Sequence, residues 1–100
     1  VSKKPETLFK EKVFKDLDTL PNCWYEKIQQ VTIRGTPDIL ICANGEFVAL
    51  ELKLDHGSKI DELQAYKIRK IIKANGIALI TTPQEWPKIF ETISLICQKV

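Results

Sequence analysis

Two apolar runs, Asp38 to Cys42 (DILIC) and Phe47 to Leu54 (FVALELKL), stand on either side of Asn44-Gly45. Asn-Gly is the strongest short hairpin signal, because a type I′ turn needs positive φ at both central residues. A two-residue turn at that point fixes the register of everything beside it. Ala43 pairs with Glu46, Cys42 faces Phe47, Leu40 faces Ala49 and Asp38 faces Glu51. Directly opposite residues share a sheet face, with Cβ atoms ~4.5–5.5 Å apart. Two carboxylates therefore meet on one face of the hairpin. Like charges so placed are destabilising, and burying one of them without a partner costs several kcal/mol. A proton, a metal ion or a lysine must neutralise them.

The rest of the chain arranges itself around this hairpin. Residues 5–20 read as a helix, with Pro5 at a first helical position and Pro21 closing the segment. Residues 24–33 (WYEKIQQVTI) read as a strand with one wet face. Arg34-Gly35-Thr36-Pro37 breaks the pattern as a loop. A second helix is expected from Ser58 to about Ala74, with Asp61 three residues after its start and Asn75-Gly76 at its end. Ile77 to Thr81 reads as a buried strand, and a last helix spans residues 84–98 with Pro87 in its first turn.

The order is thus α-β-β-β-α-β-α. The first three strands form an antiparallel meander, and the fourth returns parallel to the third through a right-handed crossover. Phe47 to Leu50 is apolar on both faces, which marks that strand as central. The expected fold is α/β, a central mixed four-stranded sheet flanked by helices on both faces. A chain of 100 residues holds one core, so residues 1–100 read as a single domain.

Composition narrows the function classes. With 44% hydrophobic and 28% charged residues the chain is an ordinary folded protein, not a disordered one. A net charge of +2 lacks the strong basic excess of many nucleic-acid binders. No apolar run approaches the ~18 residues of a membrane span, and no signal-peptide pattern opens the sequence. The three cysteines form no CxxC pair. Cys42 and Cys97 lie in apolar runs, so core packing in a reducing, cytoplasmic setting is the expectation. No P-loop, dinucleotide-binding glycine motif or nucleophile elbow is present.

The chemistry gathers beside the hairpin. Lys53 lies two residues past Glu51, so the pleat puts both side chains on one face while Leu50, Leu52 and Leu54 point the other way. Taken alone this pair has little weight, since a chain with 13 acids and as many lysines supplies such a triplet by chance. Two further residues add to it. Glu6 is in register with Phe9, Val13 and Leu17 on the apolar stripe of the first helix, so it is expected to point inward. Gln64 interrupts the stripe Ile60, Ile68, Ile71, and a buried Gln must be hydrogen-bonded, either to backbone or to the site. Lys67, one turn on, lies at the edge of the same region or reaches out to water.

Carboxylates without His or Cys select a hard ion, Mg²⁺ or Mn²⁺, over zinc. Such an ion with a nearby lysine suits phosphodiester hydrolysis. His56 reads as a solvated loop residue, and Trp24, Tyr25 and Trp86 as core or edge packing.

Pro37-Asp38, followed after twelve residues by Glu51-Leu52-Lys53, resembles the signature of the PD-(D/E)xK nuclease superfamily. The α-β-β-β-α-β-α order is similar to its restriction-endonuclease-like core. Arg34 to Asp38, Phe47 to Lys53, Ser58 and Gln64 look like the compact VRR-Nuc and Holliday-junction-resolvase-like group. The resemblance runs from about Glu6 to Trp86. It implies that Asp38 and Glu51 hold the metal, with the Leu52 carbonyl and Glu6 as further ligands. It also implies a catalytic Lys53 and a supporting Gln64.

The resulting expectation is a Mg²⁺-dependent DNA endonuclease, bacterial or phage-encoded and intracellular. It would act as a homodimer on branched or duplex DNA, with Arg34 and Gly35 at the phosphates. A compact site-specific homing or restriction-type enzyme is the nearest alternative. A non-catalytic DNA-binding module on the same fold is the alternative of a different class.

Overall fold

The computed structural model describes residues 3–28, 35–55, 57 and 60–98. Asn44 and Gly45 both have positive φ, 52° and 84°, as the type I′ turn requires. The hairpin they close has the expected register, with Ala43 opposite Glu46, Cys42 opposite Phe47 and Leu40 opposite Ala49. Its strands are β2 (Ile39–Ala43) and β3 (Glu46–Leu52). Strand β1 (Cys23–Lys27) pairs antiparallel with β2, and β4 (Ile77–Thr81) pairs parallel with β3. The four strands lie in the order β1-β2-β3-β4, a mixed sheet with β3 inside it. Helices α1 (Pro5–Leu17), α2 (Glu62–Lys73) and α3 (Trp86–Cys97) complete the order α-β-β-β-α-β-α.

The two faces of this sheet differ. Ile39, Ile41 and Ala43 of β2 point to the same side as Val48 and Leu50 of β3, and all are buried. Phe9, Val13 and Leu17 of α1 and Trp86, Ile93 and Cys97 of α3 complete that core. Spaced one turn apart in α1 and one to two turns apart in α3, where Ile89 and Phe90 fill the gap, they give each helix a continuous apolar stripe. Trp86 also donates its indole N–H to Asp16 (2.8 Å), which ties α3 to α1. The opposite face carries Ala49 and Glu51 and is covered by α2, a helix with no buried residue, which packs chiefly on β4. This side is thin.

The thin face explains most departures from expectation. Cys42 is exposed instead of buried, because its strand position turns it to the side where α2 does not reach. Trp24, opposite Cys42, is 61% exposed for the same reason, and Phe47, beside Ile71 at the end of α2, is only partly covered and 46% exposed. Tyr25 faces the thick side, where it stacks on Phe14 with ring centroids 5.3 Å apart and donates to Asp18 (2.7 Å). Cys97 is buried as expected, and all three thiols are free. Among the described residues, no helix is long and apolar enough to cross a membrane.

Element ends shift slightly. Helix α1 stops at Leu17, capped by Asp18, three residues before the expected end. The expected first strand begins at Cys23 and its far part, residues 29–33, lies outside the described residues, as do Arg34, His56 and Ser58. Helix α2 starts at Glu62, because Asp61 is itself the N-cap: its carboxylate accepts from the Gln64 backbone N–H at 2.8 Å. Asp is as good a cap as Ser, so the expected capping pair slides one turn along the chain.

Candidate active site

The β2–β3 ladder ends at Ile39–Leu50, one pair short of Asp38 and Glu51. Beyond that point the Asp38 side chain, rather than its backbone, engages the neighbouring strand: Oδ2 accepts the Leu52 N–H at 2.8 Å. The bond is charge-assisted and fixes the carboxylate against β3. Lys53 N–H donates to the Thr81 carbonyl (2.9 Å), so the end of β3 is held by β4 as well.

Glu51 is buried, with 6% of its surface exposed. Gln64 Nε2 donates to its Oε2 at 2.6 Å, and Lys53 Nζ lies 3.3 Å from the same oxygen. Lys53 Nζ also donates to Gln64 Oε1 at 3.2 Å, which closes a triangle of Glu51, Lys53 and Gln64. Gln64 therefore uses both ends of its amide within the site and not on backbone. Burial raises the Glu51 carboxyl above its ordinary value, and the charge of Asp38 raises it further. Lys53 and Gln64 act against both and do not overcome them.

Gln64 is positioned from two sides. Asp61 caps its helix, and the loop before Asp38 presses on it. Gly35 has φ of +85°, and a Cβ there would stand 2.9 Å from the Leu63 carbonyl carbon and 3.0 Å from the Gln64 nitrogen. Only glycine combines that backbone with that approach. Lys67 then donates to Thr36 Oγ1 at 2.9 Å, which clamps the loop to α2. Gly35→Ala is expected to destabilise the fold by ~1–3 kcal/mol. At roughly 4–8 °C per kcal/mol, thermal melting should read a loss of at least ~4 °C. An unchanged melting temperature would show that the close approach is not needed.

An open cleft of about 320 Å³ adjoins the triangle, with Asp38, Leu52 and Lys53 on its sheet wall and Asp55 beside them. Glu6 and Lys10 of α1 form the facing wall. Glu6 is thus brought to the cleft but is exposed, where the sequence pattern had it pointing into the core. It belongs to the first turn, beyond Phe9, the last residue of its stripe that the sheet covers. Among the described residues no three of His, Cys, Asp and Glu cluster tightly enough to hold a metal. Asp38 and Glu51 come together as a pair, and Glu6 stands across the cleft.

Gln64 also lies on a less buried stripe than expected, since Ile60 is exposed and Ile68 and Ile71 are half-buried. Missing from the sequence reading are Asp61 as the cap, the role of Thr36 as partner of Lys67, Lys10 and Asp55. Lys10 had a signal, one helical turn after Glu6. The Thr36–Lys67 contact had none. Comparison with protein-family models, with curated proteins and with solved structures finds no match to this chain.

Proposed function

We propose that this protein is a Mg²⁺-dependent DNA endonuclease of the PD-(D/E)xK type, with a restriction-endonuclease-like fold. The observation that carries the reading is the end of the β2–β3 ladder, where Asp38 and Glu51 meet beside a lysine held by Gln64. The donor set fits a hard divalent cation. Two carboxylates raise the cost of each other's charge, and the buried one is pushed toward protonation even with Lys53 beside it. A cation between them removes that cost.

Asp38, Glu51 and the Leu52 carbonyl would hold the ion, with Glu6 reached across the cleft. Mg²⁺ bound there supplies Lewis-acid polarisation of a phosphoryl oxygen. Lys53 has three N–H donors and uses two on Glu51 and Gln64, so the third is available to the cleft. Directed there, it stabilises negative charge developing on the phosphate or orients the attacking water. Gln64 keeps the ammonium in place by accepting from it while donating to Glu51.

Cutting both strands of a duplex or junction requires two such sites, so the active species is a homodimer. The likeness of Arg34 to Asp38, Phe47 to Lys53 and Gln64 to the Holliday-junction-resolvase-like group favours branched DNA.

The test compares cleavage of a four-way junction, a flap and a linear duplex, with Mg²⁺ and with chelator. Mg²⁺-dependent cutting that prefers the branched substrates is expected. Equal cutting of all three would remove the structure-specific part. No cutting of any, with Mg²⁺ or Mn²⁺, would overturn the nuclease reading.

A further inference from the structure

We infer that Lys10 is a DNA-phosphate contact, gripping the strand on the α1 wall of the cleft at a phosphate next to the one that is cut. The inference rests on the endonuclease reading and deepens it.

Among the described residues two lysines line the cleft, Lys10 and Lys53. Lys53 is engaged with Glu51 and Gln64. Lys10 is half-buried and, among the described residues, its side chain makes no hydrogen bond or ion pair. Its isolation is not for want of acids. Glu6 precedes it by one turn, the spacing and order at which Glu and Lys normally pair, and also lines the cleft. Of the lysines nearby, Lys3 pairs with Glu11 (2.8 Å) and Lys12 with Asp16 (3.2 Å), while Lys4 and Lys15, also without an ion pair among the described residues, are exposed and stand outside the cleft. Lys10 is thus a cation held in a cleft wall with its charge unspent.

Among the described residues, the other charged groups around the cleft are Glu6, Asp38 and Asp55, all repulsive to an incoming phosphate. A polyanion needs a cation on that wall to approach. Lys10 supplies it, and it does so on the helix, away from the Asp38–Glu51–Lys53 group on the sheet. A group so placed holds the strand and does not touch the reacting phosphate. Its loss therefore weakens binding more than it slows the chemical step.

The experiment measures equilibrium binding of fluorescent four-way-junction DNA to the full chain across a salt titration, without divalent metal. Wild type, Lys10→Ala and Lys10→Arg are compared. Lys73→Ala, at the far end of α2 from Gln64, is the control. The expected result is weaker binding by Lys10→Ala, several-fold to about tenfold at low salt, and a salt slope shallower by about 0.7–0.9. Lys10→Arg should restore both. In the cleavage assay with Mg²⁺, Lys10→Ala should raise KM more than it lowers kcat. Lys10→Ala matching Lys73→Ala in affinity and slope, with wild type binding and cutting DNA, would overturn the role of Lys10 and leave the nuclease reading standing. Wild type that neither binds nor cuts DNA would overturn both. Should Lys10→Ala melt early, Lys10→Gln keeps the aliphatic stem and gives the same reading.

Discussion

Lys53→Ala is expected to slow single-turnover cleavage at saturating Mg²⁺ by about 10²–10³-fold, the usual effect of removing one donor aimed at developing charge. The fold should survive, because the backbone N–H of residue 53 still donates to Thr81 and the side chain lies outside the apolar core. Removing the ammonium also takes away one of the two groups that favour ionised Glu51. The pH at which activity rises should therefore move upward in Lys53→Ala. Lys53→Arg should recover little, since a planar guanidinium cannot take the place of a compact ammonium 3.3 Å from Glu51 and 3.2 Å from Gln64. Rates measured across pH for the three proteins test this. Activity of Lys53→Ala within about threefold of wild type would refute the role given to Lys53.

The second large effect concerns metal removal and Glu51. Because the native Glu51 carboxyl is raised above its ordinary value of 4.5, its proton is held more tightly in the folded chain than in the unfolded one. Stability from this group is greatest below the ordinary carboxylate value and falls as pH rises through the raised one. At neutral pH, in chelator, Glu51→Gln should consequently melt higher than wild type. The difference should vanish in acid, where both forms of wild type are protonated.

Mg²⁺ reverses the order. An ion at 100 times its dissociation constant stabilises by ~2.7 kcal/mol, which is roughly 10–20 °C for a domain of this size. Wild type should show this shift and Glu51→Gln almost none of it. Equal shifts in the two proteins would exclude Glu51 as a ligand. A Glu51→Gln variant less stable than wild type in chelator would mean that the carboxylate is held at no cost.

What the sequence revealed of this structure follows from how local each signal is. The Asn44-Gly45 turn needs only its own two residues, so it set the register of β2 and β3 and brought Asp38 beside Glu51. The pleat then put Lys53 with Glu51. Those two rules carried most of the candidate site. The exposure of Cys42 and Phe47 was not legible, because their hydrophobicity does not tell how far α2 extends over the sheet. Glu6 was placed by a helical stripe whose geometry is right but whose cover ends at Phe9. The Thr36–Lys67 clamp joins residues far apart in sequence and leaves no periodicity to detect.

The unequal cover of the sheet divides labour within the molecule. Apolar burial is concentrated where α1 and α3 pack, while Glu51 and Lys53 point to the other side, where α2 brings Gln64 to them. Substitutions on one side share few partners with those on the other, so their free energies should combine nearly additively. A lineage or an engineer could therefore strengthen the scaffold through α3 and the buried stripe of α1, sparing Glu6 and Lys10 on the cleft wall, while varying α2 and its loop to retune the reaction.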